Sequence, residues 1–330
     1  MKMINNDIFK NFKTTVRRCH KFRGMYVCET DMGTKIIRIS KYSPEQVEME
    51  YRIKAHLIEN GFNHLDQLYT SQEGTPYVKY NGLIYVMTDY KKGQTVDFYN
   101  KEDIKNAMQI LASLHIAGQC FDNVPKDLSL RKIKNLGEVY DKRYRETIKL
   151  RKRIENTSRK TDFEILYLKN SNIYQEYQEK SKEYINPISY KKLIDTAKGN
   201  KSIAHGEYTY HNIIKLDNDS MVIKGFEESA YNVQITDLVY ITRRIMQRNQ
   251  WDVDLLLTIL EEYNKVRPIS AEEWNIIKGM IIFPERFSKL CNEYFNSRRR
   301  WNYNMFDRKF TKILGYKDDY INCTNEILKW

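Results

Sequence analysis

The 330-residue sequence carries 55 Lys and Arg against 43 Asp and Glu, a net charge of +12, and is long enough for one large domain or two modest ones. Tyr (25) and Phe (13) are abundant while Pro (6) is scarce, the profile of a folded, helix-rich protein. No apolar run approaches the roughly 20 residues that span a bilayer, and the opening MKMINNDIFKNFK lacks an apolar signal region, so the expectation is a cytoplasmic protein without a membrane partner. Cys19, Cys28, Cys120, Cys291 and Cys323 show no paired metal-ligand spacing; free, mostly buried thiols are expected, not a disulfide or a zinc site. The charge favours acidic partners without choosing among them. Its dense patches, Lys142 to Arg153 and Arg298 to Arg300, read as solvated helix faces, because no nucleic-acid module accompanies them.

In chain order, Thr14 to Arg18, Met25 to Glu29 and Lys35 to Ile39 predict a three-strand meander, with a turn at Asp31-Met32-Gly33. Gly24 stands alone, so there is no glycine-rich phosphate loop. Ser43-Pro44-Glu45 predicts a capped helix start with proline in the first turn, and the helix runs to about Asn60-Gly61. Val47, Tyr51, Lys54, Ala55 and Ile58 share one face of it. Strands follow at Gln67 to Thr70, Tyr77 to Tyr80 and Leu83 to Thr88, with Asn81-Gly82 as a hairpin turn. After Asp89-Tyr90-Lys91-Lys92-Gly93, an amphipathic helix from Asp103 to His115 carries a core-facing stripe. Lys126 to Lys198 predicts a long helical region whose inner positions are Tyr140, Tyr144, Phe163, Leu166, Tyr167, Tyr174, Tyr177 and Tyr184. Further helices are expected at Val253 to Tyr263, Ala271 to Ile281 and Pro284 to Phe295.

The stretch from Ser202 to Arg244 organises the rest. His205, Gly206, Glu207 and Asn212 sit between two short apolar runs, as in a loop between strands. A turn at Asp217 to Asp219, the run Met221 to Ile223, and then Gly225, Phe226 and Glu227 follow, with Asp237 opening an apolar helix. This layout resembles the catalytic core of the kinase-like phosphotransferases, the aminoglycoside and choline kinase branch, and most closely the CotS-like spore coat family, in which it reads roughly H-G-D-Y-x-x-x-N, a hairpin, D-F-D and a helix-opening D-L. Phe283-Pro284-Glu285-Arg286-Phe287, Tyr294-Phe295-Asn296 and Trp301 resemble the family's C-terminal packing segments, so the likeness covers nearly the whole chain.

The resemblance implies an α+β, bilobal, protein-kinase-like fold: a β-rich N-lobe over residues 1–90 and a helical C-lobe over residues 91–330 with a degenerate catalytic loop. Phosphoryl transfer needs a carboxylate to orient the attacking hydroxyl, and an amide and a second carboxylate to hold magnesium on the phosphates. Here Glu207 stands for the catalytic Asp, Asn212 is kept, and Gly225 replaces the metal-binding Asp. Arg38 stands where the family has its phosphate-clamping lysine, and a planar fork is not a point-charge ammonium. Glu48 or Glu50 is the implied partner of that cation, and Asp89 and Tyr90 belong to the linker that in the family lies against adenine. His115 matches a helix-ending histidine of structural kind.

Two functions follow. The favoured one is a catalytically degenerate pseudokinase, a structural or scaffolding spore coat component made in the mother-cell cytoplasm, with other coat proteins as partners. The alternative is an active ATP-dependent phosphotransferase on a small hydroxylated metabolite or coat protein, with Glu207 as base, Asn212 and Glu227 holding the metal and Arg38 on the phosphates. In either case ATP, with or without magnesium, is the implied ligand. Several positioning groups are altered together, which favours the first.

Overall fold

The computed structural model describes residues 5–22, 24–122, 133–296 and 303–330. The chain falls into two compact units: Met1–Lys132 with Asn200–Asp237, and Ile133–Gly199 with Leu238–Trp330. The expected lobe boundary at residue 90 falls inside the first of these units.

The first unit opens with a short helix, α1 (Asn6–Asn11), capped by the Asn5 side chain. Strands β1 (Val16–Phe22), β2 (Met25–Thr30), β3 (Gly33–Ser40), β4 (Val78–Tyr80) and β5 (Leu83–Asp89) form an antiparallel sheet in the order β1-β2-β3-β5-β4. Glycine at position 33 (φ +87°) permits the β2–β3 turn, and Asn81 and Gly82 both take positive φ in the β4–β5 hairpin, as a primed turn requires. Period-2 alternation splits the sheet between two cores. Ile37, Tyr85 and Met87 pack with Ile8 and Phe9 of α1 and with Phe12 just after it, while Val86 faces the other way, toward Val47 and Leu68.

Helix α2 (Pro44–Glu59) starts as expected, from a reciprocal cap between Ser43 and Gln46 with proline in the first turn. Helix α3 (Lys101–Ala117) is capped by Asn100 and ends at Gly118. The unit closes with β6 (Gly93–Thr95), β8 (Ile213–Leu216) and β9 (Met221–Ile223) as one three-stranded sheet, and β7 (Ile203–Ala204) paired with β10 (Ala230–Tyr231).

The helix over residues 6–11 precedes the expected meander. Two expectations are corrected here. Gln67 to Thr70 forms no strand; Leu68 makes an isolated bridge to Thr88, and Tyr69 donates its N–H to Met87 O, because the chain crosses β5 for only that distance. Cys19 and Cys28 are joined as a disulfide, because the β1–β2 register sets them directly opposite each other. Cys120, Cys291 and Cys323 are free, the last two buried.

The second unit is helical among the described residues: α4 (Leu136–Glu155), α5 (Asp162–Tyr184), α6 (Pro187–Gly199), the body of α7 (Ile235–Met246), α8 (Val253–Val266), α9 (Ala271–Ile282), α10 (Glu285–Asn296), α11 (Tyr303–Leu314) and α12 (Lys317–Lys329). Aromatic rings fill its core. Phe287 stacks on Tyr174 at 4.5 Å between centroids, and Phe283 on Tyr140 at 3.9 Å. Of the predicted inner positions, Tyr140, Phe163, Tyr167, Tyr174 and Tyr177 are buried, whereas Tyr144, Leu166 and Tyr184 are only partly covered. The start of the predicted helical region (126–132), the basic run Arg298 to Arg300 and Trp301 lie outside the described residues.

Candidate functional site

The loop after β7 is shaped by Asp237. Its carboxylate accepts the backbone N–H of His205 at 2.6 Å and that of Gly206 at 3.0 Å, and it lies 3.3 Å from Nε2 of the buried His115. His205 is fully buried; Nδ1 accepts the N–H of Glu207, which leaves Nε2 to donate to the Lys224 carbonyl. Burial pushes the His205 imidazole below its usual pKa, against the pull of Asp237. At Gly206, φ is +81° and an added Cβ would lie 2.6 Å from the Glu228 carbonyl oxygen, so only glycine fits this corner. Glu207 follows it with its side chain exposed. The loop geometry expected of an H-G-acid turn is thus present, built by a buried carboxylate 30 or so residues downstream.

Asn212 lies in a single helical turn (Tyr210–Asn212), and its Nδ2 donates to the Glu207 carbonyl at 2.9 Å. Gly225 is left-handed (φ +82°, ψ +42°), and a Cβ built there meets Asn212 Nδ2 at 2.6 Å, Cγ at 2.7 Å and Oδ1 at 2.9 Å. The carboxamide therefore lies where a side chain at position 225 would begin. Next to it, Glu227 accepts from Arg38 Nη2 at 2.5 Å. Glu228 accepts from the Tyr42 hydroxyl at 3.0 Å.

Arg38, on β3, meets α2 through Glu50, whose Oε2 is 3.9 Å away. Glu48 turns elsewhere: it accepts from the Tyr77 hydroxyl at 3.3 Å. Of the two acids left open by the sequence, Glu50 is the one that faces Arg38, because α2 buries the stripe Val47, Glu50, Lys54 and Leu57. Lys54 is the residue whose chemistry sequence reasoning missed. It was placed on the apolar face, and it is indeed 2 % exposed, but it ion-pairs with Glu50 at 2.7 Å and Asp66 at 2.8 Å, and sits 5.4 Å from the Phe226 ring centroid. The signal was the i,i+4 spacing of Glu50 and Lys54. Burial raises the Glu50 pKa against Lys54's attraction; Lys54 is itself raised, since its two carboxylates outweigh the cost of its burial.

The linker residues are engaged within the sheet. Lys35, 4 % exposed, donates to Asp89 Oδ1 at 2.6 Å and to the Tyr69 hydroxyl at 2.6 Å, and Tyr69 in turn donates to Asp89 at 2.8 Å. Burial favours the neutral acid at Asp89, but these hydrogen bonds win and hold its pKa below the carboxylate norm. Tyr90 donates its N–H to Thr34 O and leaves its side chain 40 % exposed. Among the described residues, no three or more His, Cys, Asp or Glu side chains gather as a metal-holding group.

Solved structures place this architecture in a class. An aminoglycoside phosphotransferase from Alicyclobacillus acidocaldarius matches with a TM-score of 0.86 at 16% identity, over 100% of this chain and 96% of its own. Spectinomycin phosphotransferase APH(9)-Ia in complex with ADP and spectinomycin matches at 0.57 and 10% identity, over 100% of both chains. The fold is that of the kinase-like phosphotransferases, with a small antiparallel-sheet lobe and a large helical lobe, as expected.

Within that class, the family described as "Spore coat putative kinase YutH" matches residues 5–327, and the chain belongs to it. Spore coat protein S of Bacillus subtilis (strain 168) is 20% identical over 318 residues, 93% of this chain and 88% of its own length. The chain is a spore coat kinase-like protein. Among the described residues no helix is long and apolar enough to cross a membrane.

Proposed function

We propose that this protein is a pseudokinase: a structural component of the spore coat that keeps the phosphotransferase scaffold without phosphoryl transfer. The observation that carries the reading is the Asn212 carboxamide packed against Gly225, in the space a metal-binding side chain would need. Magnesium demands closely placed oxygen ligands in near-octahedral geometry, and glycine supplies none. Glu227, the substitute ligand, is committed to Arg38, and that same pairing takes up the cation at the phosphate-clamping position. Arg38 and Glu227 therefore satisfy one another rather than a nucleotide and its metal.

In this reading the protein is made in the mother-cell cytoplasm, and other coat proteins are its partners. Adenine binding at the linker is disfavoured as well, since Asp89 and the Tyr90 N–H already have partners.

Thermal stability with ATP or ADP, with and without magnesium or manganese, tests the proposal. Specific binding to the folded state raises the melting temperature with ligand excess over its dissociation constant. The wild type is expected to show no metal-dependent shift. A metal-dependent shift in the wild type, or single-turnover release of ADP, overturns the proposal in favour of an active phosphotransferase with Glu207 as base.

A further inference from the structure

The second unit holds a small, partly open cavity of about 20 Å³ lined by Tyr174, Arg243, Trp251, Glu285 and Tyr320 among others. A water-sized occupant needs roughly 10–15 Å³. Three residues on its wall, Tyr174, Arg243 and Trp251, carry buried donors without acceptors.

Arg243, 4 % exposed, spends Nη2 on the Tyr140 hydroxyl and the carbonyls of Met280 and Phe283, but Nε and Nη1 have no hydrogen-bond partner. The nearest carboxylate oxygen, Glu285 Oε2, is 3.6 Å from Nη1, and Glu285 is shared with Arg143. The Trp251 indole N–H and the Tyr174 hydroxyl are likewise buried and unpartnered. Trp251 is held edge-on to Tyr320 (centroids 4.8 Å, 78°) by consecutive left-handed residues, Gln250 (φ +50°) and Trp251 (φ +56°). A bulky side chain adopts that backbone region only when its surroundings impose it.

Leaving such donors unmet is costly, and most so for a charged one. Two arginines share one carboxylate here, so the wall is short of negative charge. Asp318 acts on Tyr174 electrostatically but is exposed and screened by water. A single water accepts about two hydrogen bonds and brings no charge, whereas a small anion can accept more than two and neutralises the guanidinium.

We propose that this cavity is a binding site for one small monovalent anion of the halide class, held by Arg243, Trp251 and Tyr174. None of these three residues belongs to the candidate site, so the anion site is distinct from any phosphate chemistry of the fold.

The probe is bromide. Crystals grown in sodium bromide are expected to show an anomalous peak within hydrogen-bond distance of Arg243 Nη1 and Trp251 Nε1. In solution at constant ionic strength, exchanging gluconate for chloride or bromide should raise the melting temperature and saturate at millimolar halide, unlike a general salt effect. Trp251→Phe keeps the ring packing and removes one donor, so it should weaken the halide response about tenfold, the loss of a single hydrogen bond. Arg243→Met should abolish it; if that variant does not fold, Trp251→Phe carries the test. A cavity holding only water in the bromide crystals, or a wild-type melting temperature indifferent to halide, overturns the proposal.

Discussion

The carboxamide nitrogen of Asn212 lies 2.6 Å from the point where the Cβ of any residue replacing Gly225 must stand. The two positions that would share a metal in a working phosphotransferase thus crowd one another here, and the backbone at 225 is left-handed as well. Gly225→Ala is expected to cost about 1–2 kcal/mol for the left-handed residue, plus whatever moving Asn212 requires. Because the obstructing atoms are the end of a side chain, Asn212→Ala in the same protein should return the second part only. Urea midpoints around the double-mutant cycle measure the coupling. Strict additivity would mean that Asn212 does not obstruct position 225.

Gly225→Asp therefore should not restore metal binding at a stroke. The added carboxylate arrives beside Asn212 only after the amide has turned away, and Glu227 remains paired with Arg38. Melting temperatures with magnesium-ATP are expected to be lower for Gly225→Asp than for Gly225→Ala with Asn212→Ala, with no metal-dependent gain in either. A clear magnesium-dependent rise in the single variant would show that the metal site is one side chain from completion.

Arg38 links residues 189 positions apart in the chain, β3 to the turn at Glu227, while Glu50 stands buried 3.9 Å away. Removing the cation as Arg38→Met leaves two carboxylates facing each other beside Lys54. Breaking a fully buried pair costs about 3–5 kcal/mol, and with Arg38 24 % and Glu227 19 % exposed the expected loss is discounted to about 1–3 kcal/mol. Adding Glu227→Gln should recover part of it by removing one uncompensated charge. If the double variant is no more stable than Arg38→Met, the pairing contributes nothing beyond packing.

The parts legible in the sequence are those written locally. Ser43, Pro44 and Gln46 specify the start of α2 within four residues, and Asn81-Gly82 specifies its hairpin within two. The H-G-acid turn was legible for the same reason, although the carboxylate that builds it, Asp237, belongs to a later helix. What the sequence withheld depends on register and phase. Cys19 and Cys28 meet only because β1 and β2 pair in one register, and no spacing rule states that. Glu48 and Glu50 are two residues apart, yet about 200° apart around a helix, so a small error of phase exchanges the surface acid for the buried one. A strand reading of Gln67 to Thr70 fails similarly: its composition suits a strand, but how long it runs beside β5 is a tertiary matter.

His205 gives the site a pH dependence whose sign follows from its burial. With its pKa lowered in the folded protein, the unfolded chain takes up a proton first as the pH drops through about 6.5, and folding weakens until the folded ring protonates too. The contribution is therefore present above that range and lost below it, with a slope approaching about 1.4 kcal/mol per pH unit per proton. Asp237 opposes the shift, and Glu227 does so more weakly, both favouring the imidazolium. His205→Gln keeps an acceptor for the Glu207 N–H and a donor for the Lys224 carbonyl but does not titrate. Its stability between pH 7.5 and 5 should fall less steeply than that of the wild type. Parallel curves would locate the titration elsewhere.

Asp89 separates a structural linker from a nucleotide-contacting one. Its carboxylate answers Lys35, which is 4 % exposed, so Asp89→Asn removes the acid bonded to a buried ammonium while leaving Tyr69 in place. Because Asp89 is 26 % exposed, water tempers the loss, and about 1–3 kcal/mol of destabilisation at pH 7 is expected. The folded-state pKa of Asp89 is depressed, so this contribution is complete above its ordinary value near 3.8 and disappears as the pH falls through the folded value. The gap between wild type and Asp89→Asn should accordingly narrow below about pH 4. Calorimetric titration with ATP should be equally flat for both proteins. Heat of binding in the wild type that vanishes in Asp89→Asn, with the fold intact, would return Asp89 to the role of a nucleotide contact.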